Sequence, residues 1–342
     1  ALAGILWMRL AEYGLDGFVE HYERSAEWLV KNRFSMEHPD PNLRGAVVNT
    51  RMRFRKGEMW MTQRDVGTSA CASSRSTTAN SQNKYLSMNN NSHFQVDKLT
   101  VYVCDTREAM GRAAYEFYRD RVCALLQEQP LVRAIYAAAH SQDEFLHALV
   151  ADTDIDFARI DAFHMDEYFG LGESVPQKFG HFLTERLFAR KPFARVNLIR
   201  SEAPDIEAEA RRYEALLRQY PIDITSLGIG ENGHIAFNDP HEARFDDPCW
   251  VRRTTLDDTC RQQQVNDGEF GSLNEVPTSA YTLTVPALMA SRILVGIVPN
   301  GRKAEAVRRT LCEPVSEACP ASILRTHDDA VLFLDRDAAA LL

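Results

Sequence analysis

The sequence predicts an α/β protein with a mainly parallel sheet and helices on both faces, a Rossmann-like three-layer sandwich preceded by an N-terminal extension without assignment. Three observations carry this. From Leu99 onward, strand-like runs alternate with amphipathic helical patterns. The strand-like runs are continuously apolar, as in strands covered on both faces. One of them, ending at Leu227–Gly233 (LGIGENG), opens into a glycine-punctuated loop at its carboxyl end, where open α/β sheets bind ligands.

The elements follow in chain order. Leu2 to about Arg33 reads as helical, with Leu6, Leu10, Phe18, Tyr22, Trp28 and Leu29 among charges, and ends near Pro39-Asp40-Pro41. Arg51, Arg53, Arg55 and Lys56 then alternate with apolar residues beside Phe54 and Trp60, the pattern of a solvated strand face. Gly67–Ser92 is small and polar, with almost nothing to bury, and reads as a linker. The expected organisation is therefore an extension over 1–66, a linker over 67–95 and one domain over 96–342.

Within that domain Leu99–Cys104 is a predicted strand, and Arg107–Gln127 a long helix with Ala109, Ala113, Phe117, Val122 and Leu125 inward. Further strands are predicted at Val132–Ala138, Val196–Ile199, Ile222–Ile229, Ile293–Val298 and Ala330–Leu334. Further helices are predicted at Gln142–Val150, Gln177–Phe188, Asp205–Gln219 and Arg302–Cys312.

A chain of 342 residues, 45% hydrophobic and 25% charged, can bury a sizeable core. No apolar run reaches membrane-spanning length, and the start ALAGILWM lacks the charged region and length of a secretory signal. A formal charge of −9 argues against nucleic acid as the main partner. Seven cysteines without a CxxC pair fit a reduced, cytoplasmic protein with no zinc site and no disulfide framework. A homo-oligomer is the default expectation for its assembly.

Two segments carry the candidate chemistry. In Leu227–Pro240, LGIGENGHIAFNDP, Gly228 and Gly230 open the backbone, and Gly233 lets His234 turn back over the strand ends with Asn232 and Asp239 nearby. A histidine between an amide and a carboxylate is a general acid/base candidate, and a tight turn with a capping histidine is the plain alternative. In Ile160–Leu171, IDAFHMDEYFGL, Asp166 and Glu167 follow an apolar strand. Asp166 could cap a helix. Beside Phe163, Met165 and Phe169 it could instead be desolvated and act as a base on a carbon-bound proton.

Together FHMDEYFGL and LGIGENGHIAFNDP resemble the two signature segments of the glucosamine-6-phosphate deaminase (isomerase) family, whose superfamily also contains 6-phosphogluconolactonase. The likeness continues through DDTCRQQQVNDGEF, VPTSAYTLTVPALM, KAEAV and SEACPASILRTH, about 240 residues, the size of one domain. The resemblance implies that His234, oriented by Asp239 and Asn232, opens the pyranose ring, with Gly230 and Gly233 shaping the substrate loop. Asp166 then carries a proton between C2 and C1, and hydrolysis at C2 releases ammonia and leaves fructose 6-phosphate. It implies a small sugar phosphate as partner and no metal or redox cofactor.

The same resemblance locates the phosphate cradle and several departures. The turn Ala137–Gln142 stands where the family carries Thr/Ser-Gly-Gly-Thr-Pro, so Ala139 and His140 replace its glycines and Ser141 keeps a hydroxyl. Arg261 falls where the family places a phosphate-binding arginine, and Lys303 substitutes for a lysine absent from VPTSAYTLTV. Asp239 replaces the usual glutamate, one methylene longer. Two other readings stand beside a deaminase: a 6-phosphogluconolactonase, whose loop typically reads GHTASLFP, and a non-catalytic sugar-phosphate sensor.

Overall fold

The computed structural model describes residues 48–54, 57–62, 92–172 and 175–342. The expected helix over Leu2–Arg33, the Pro39–Pro41 break and most of the polar linker lie outside these residues. The chain divides into two units, residues 1–78 and 79–342.

In the first unit, β1 (Val48–Phe54) and β2 (Gly57–Thr62) form an antiparallel hairpin, with Arg51 opposite Trp60 and Arg53 opposite Glu58. The alternating segment read as a strand face is thus a strand.

The second unit is built on an eight-stranded sheet. Its first pair, β3 (Ser92–Val96) and β4 (Leu99–Cys104), is antiparallel around a turn at Asp97, whose φ is 52°. Residues 92–95, read from sequence as the end of the linker, are therefore an edge strand. Their polarity misled because an edge strand need not be buried: His93, Phe94 and Gln95 are exposed. Then follow α1 (Arg107–Glu128), β5 (Val132–Tyr136), α2 (Asp143–Ala151), β6 (Ile160–His164), β7 (Asp166–Tyr168), α3 (Phe179–Leu183), β8 (Arg195–Asn197) and α4 (Ile206–Leu217). The remainder comprises β9 (Ile224–Leu227), β10 (Val251–Thr255), α5 (Asp258–Asn266), β11 (Ser279–Leu283), α6 (Val285–Met289), β12 (Ile293–Val298), α7 (Ala304–Cys312) and β13 (Ala330–Asp335).

The strand order is β3-β4-β13-β12-β9-β5-β6-β8, and every pair after the first is parallel. Both faces are covered, as the apolar runs require. Along β12, Val295 and Ile297 pack with Met110 and Phe117 of α1 and Phe145 of α2, whereas Leu294 and Val298 pack with Tyr213 of α4 and Val307 of α7. Thr106 starts α1 by accepting a hydrogen bond from the Ala109 amide at 3.1 Å, and Asp205 starts α4 by accepting from Glu207 and Ala208.

The chain runs outward from β5 through β6 to β8, then returns inside at β9 and runs outward the other way through β12 to β13. The carboxyl ends of β5 and β9 therefore flank a topological switch point, the usual ligand crevice of such sheets. A second, antiparallel sheet, β10-β11-β7, stands at this end and was not foreseen from sequence. Its strands are short, and VRRTT carries few apolar residues to mark it. The described cysteines, Cys104, Cys123, Cys249, Cys260, Cys312 and Cys319, are free thiols. No described helix is long and apolar enough to cross a membrane.

Candidate functional site

A cavity of about 400 Å³ opens over the carboxyl ends of β5, β6, β9 and β12. Asp166, His234, Ala139, His140, Ser141, Gly230 and Lys303 line it. Asn232, Asp239, Gly233 and Arg261 do not line it, and the first three lie behind or beside His234.

Asp166 is not a helix cap. It begins β7, whose backbone pairs with Thr282 of β11, and its side chain makes no hydrogen bond to a described residue. Burial, reinforced by the neighbouring Glu167 charge, pushes its carboxyl well above the usual carboxylate range. Glu167 points the opposite way along the strand and caps α3, accepting from the Phe179 amide at 3.1 Å and the Gly180 amide at 2.9 Å. Burial raises Glu167 to about 7 against the pull of those amides. Two adjacent carboxylates thus have different work: one faces the cavity, the other fixes Phe179 in its wall.

The His234 loop is held by its own backbone. The Gly230 amide donates to the His234 carbonyl at 2.9 Å, and the Gly233 amide to the Gly230 carbonyl at 3.0 Å. Gly233 has φ 91°, in the left-handed region that favours glycine. The imidazole lies directly on Gly230, where a methyl group would stand 2.2 Å from Cε1. Behind the ring, Asp239 is fully buried, and its Oδ1 stands 2.9 Å from His234 Nδ1. The carboxylate lies off the ring N–H direction, so Nδ1 has no well-aligned acceptor among the described residues. Asn232 donates to Asp239 at 3.0 Å and accepts from the His234 amide at 3.0 Å. Burial alone would raise the Asp239 carboxyl, but His234, Asn232 and the Asp257 amide together hold it below the usual range.

The turn after β5 keeps ordinary dihedrals: Ala139 is extended at φ −159°, and His140–Gln142 form one 3₁₀ turn leading into α2. Side chains are therefore accommodated where glycines were expected. His140 Nδ1 lies 2.8 Å from Asp143, and Nε2 lies 3.1 Å from Glu269. These two hydrogen bonds raise the imidazole to about 10, so it is a cation whose donors are both engaged within the protein. It contributes fixed charge and ties the turn to the loop after α5.

Arg261 departs from expectation. Its guanidinium is held by Asp258 at 3.0 Å and by the carbonyls of Leu273 and Val276, the closest contact being 2.6 Å. At roughly 100° per residue, Arg261 stands about 160° around α5 from Gln263 and about 140° from Asn266, two residues of the helix that line the cavity. Arg261→Ala is expected to lower stability by about 1.5–3 kcal/mol, read by thermal melting, with KM for a sugar phosphate unchanged.

Lys303 is 7% exposed and makes no ion pair among the described residues. Burial lowers its ammonium to about 8, against the opposing pull of Asp267 and Glu231. Cavity residues that sequence reading missed include Arg107, Gln263, Gln264, Asn266, Asn300 and Arg302. The helical phase of DTCRQQQVND would have indicated the α5 group. Arg107 and Asn300 follow predicted strands directly and were visible only through the rule that ligands gather at strand ends.

One set of buried donors, His234, Asp239 and Cys260, converges within 4.8 Å. Burial pushes the Cys260 thiol well above its usual range, and the neighbouring Asp239 and Asp257 charges add to the shift. Hydrogen bonding around Asp239 accounts for the arrangement.

Comparison with known proteins agrees with the geometry. Over 211 residues the chain is 36% identical to a glucosamine-6-phosphate deaminase of Listeria monocytogenes serotype 4a (strain HCC23), covering 62% of this chain and 88% of that protein. It is 37% identical over 207 residues to the glucosamine-6-phosphate deaminase of Streptococcus suis (strain 05ZYH33), covering 60% and 86%. Among solved structures, a monomeric glucosamine-6-phosphate deaminase superposes with a TM-score of 0.65 at 31% identity, covering 71% of this chain and 99% of that one. The 6-phosphogluconolactonase of Thermotoga maritima shares the fold, with a TM-score of 0.58 at 20% identity. Residues 105–333 match the family model described as glucosamine-6-phosphate isomerases/6-phosphogluconolactonase, and the chain belongs to that family.

Proposed function

We infer that the chain is a glucosamine-6-phosphate deaminase, converting glucosamine 6-phosphate and water to fructose 6-phosphate and ammonia. The observation that carries the reading is the meeting in one cavity of a desolvated, unpartnered carboxyl, Asp166, with an imidazole, His234, backed by a buried carboxylate. His234 would move a proton between the ring oxygen and the anomeric hydroxyl. Asp239 and Asn232 would hold its orientation, and the 2.9 Å separation means that the shorter aspartate still reaches the ring. Asp166 would take the proton from C2 and return it at C1. Its raised affinity for a proton suits a group that must draw one from carbon. Water added at C2 then expels ammonia, and atoms balance without a redox partner.

Ser141 and Lys303 would form the anion end of the cavity. The free thiols suit a cytoplasmic setting.

Lys303 carries charge below about pH 8 and loses it above. The kcat/KM for glucosamine 6-phosphate is therefore expected to fall as pH rises through about 8, and in Lys303→Arg the fall should move to higher pH. Matched pH–rate profiles of the two proteins check this. The functional reading itself is tested by offering glucosamine 6-phosphate and 6-phosphogluconolactone to the same preparation. Ammonia from the first with no hydrolysis of the second is expected, and the reverse outcome would overturn it.

A further inference from the structure

Two adjacent glutamines on α5 have the same chemistry and different circumstances. Gln263 is engaged: its side-chain oxygen accepts from the Glu231 amide at 3.0 Å, fastening α5 to the loop that carries His234. Gln264 is 7% exposed, lines the cavity and makes no side-chain hydrogen bond to any described residue. Most of the side chain is covered, and the amide reaches the open cavity. Like Asp166 and Lys303 in the same wall, it is left for what enters the cavity to bond.

Its position along the helix says which part of a ligand it meets. One residue before it, Gln263 binds the His234 loop, and one turn after it, Asp267 holds Arg302 at 2.5 Å, next to Lys303. Gln264 thus stands between the proton-transfer end of the cavity and its anion end. A hexosamine phosphate with C1 and C2 at Asp166 and its phosphate at Ser141 and Lys303 presents the C3 and C4 hydroxyls to this stretch. A primary amide both donates and accepts, which matches a hydroxyl and gives no advantage to a charged group.

We propose that Gln264 is a substrate-reading residue that hydrogen-bonds a hydroxyl at C3 or C4 of the sugar and sets which hexosamine phosphates are accepted. This rests on the deaminase reading for the placement of the sugar. A site built to bond a hydroxyl rejects the analogue lacking it, because the protein group is then left unpaired.

The test uses binding, so it does not depend on turnover. The probes are the reduced, open-chain sugar alcohol of glucosamine 6-phosphate, which has no carbonyl carbon to react, its 3-deoxy and 4-deoxy forms, and inorganic phosphate. Calorimetry is performed on the full chain as wild type, Gln264→Leu and Gln264→Met, the second variant guarding against misfolding of the first. Wild type is expected to lose about tenfold in affinity on removal of one of the two hydroxyls. The variants should bind the parent about tenfold more weakly, show no further loss with that deoxy form, and bind inorganic phosphate as wild type does. Parent binding at wild-type strength in the variants, a deoxy penalty that persists in them, or equal weakening of inorganic phosphate would overturn the proposal. So would a wild type indifferent to both hydroxyls or unable to bind the parent. Ammonia release by the same wild-type preparation separates that failure from failure of the deaminase reading.

Discussion

Asp166→Asn is expected to release ammonia from glucosamine 6-phosphate on the order of 10³-fold more slowly than wild type, with KM little changed and the melting temperature preserved or raised. The substitution keeps the shape and removes the base. The side chain makes no hydrogen bond within the described protein, so none is broken, and the backbone pairing of β7 with β11 is untouched. Its ionised form is costly where it stands, because burial and Glu167 both oppose the charge. A neutral amide is relieved of that cost, which is why stability should not suffer. Steady-state kinetics and a thermal melt decide the matter together, and a folded Asn variant retaining about a tenth or more of wild-type kcat would exclude Asp166 as the group that moves the proton.

The second large effect is expected at a residue with no side chain. Gly230→Ala would place a methyl group 2.2 Å from Cε1, 2.3 Å from Nε2 and 2.4 Å from Nδ1 of His234, so the ring must move. That displacement breaks the 2.9 Å approach to Asp239 and shifts the imidazole from its place over the strand ends. A shift of about 1 Å in a reacting group costs about 10²-fold in rate, and a loss of that size in kcat is expected here. The lesion is local, because Gly230 lies in a loop outside the strands. Wild-type kcat in a folded Gly230→Ala protein would show that the imidazole position has no bearing on the reaction.

Much of the frame was legible because its physics is local. Continuous apolar runs such as Ile293–Val298 are strands at the predicted residues, and α1 differs from prediction only at its last residue. The pairing of Asp166 with His234 was also legible, since each follows a buried strand and parallel strands bring their carboxyl ends together. What escaped were features set by tertiary contact. Strand β3 is polar because it is an edge, and the β10-β11-β7 sheet is short and antiparallel within a parallel pattern. For Asp166 a helix cap was the plain alternative to a base, and the residue instead starts another strand. Arg261 was named from the family resemblance, but its guanidinium bonds the carbonyls of Leu273 and Val276, and the neutral Gln263 and Gln264 line the cavity instead.

One measurement bears most directly on the central claim: simultaneous quantification of ammonia and fructose 6-phosphate after the full chain is incubated with glucosamine 6-phosphate. Equimolar appearance of both products is predicted. Absence of ammonia from a folded preparation, or ammonia without fructose 6-phosphate, would contradict proton transfer and deamination at this site.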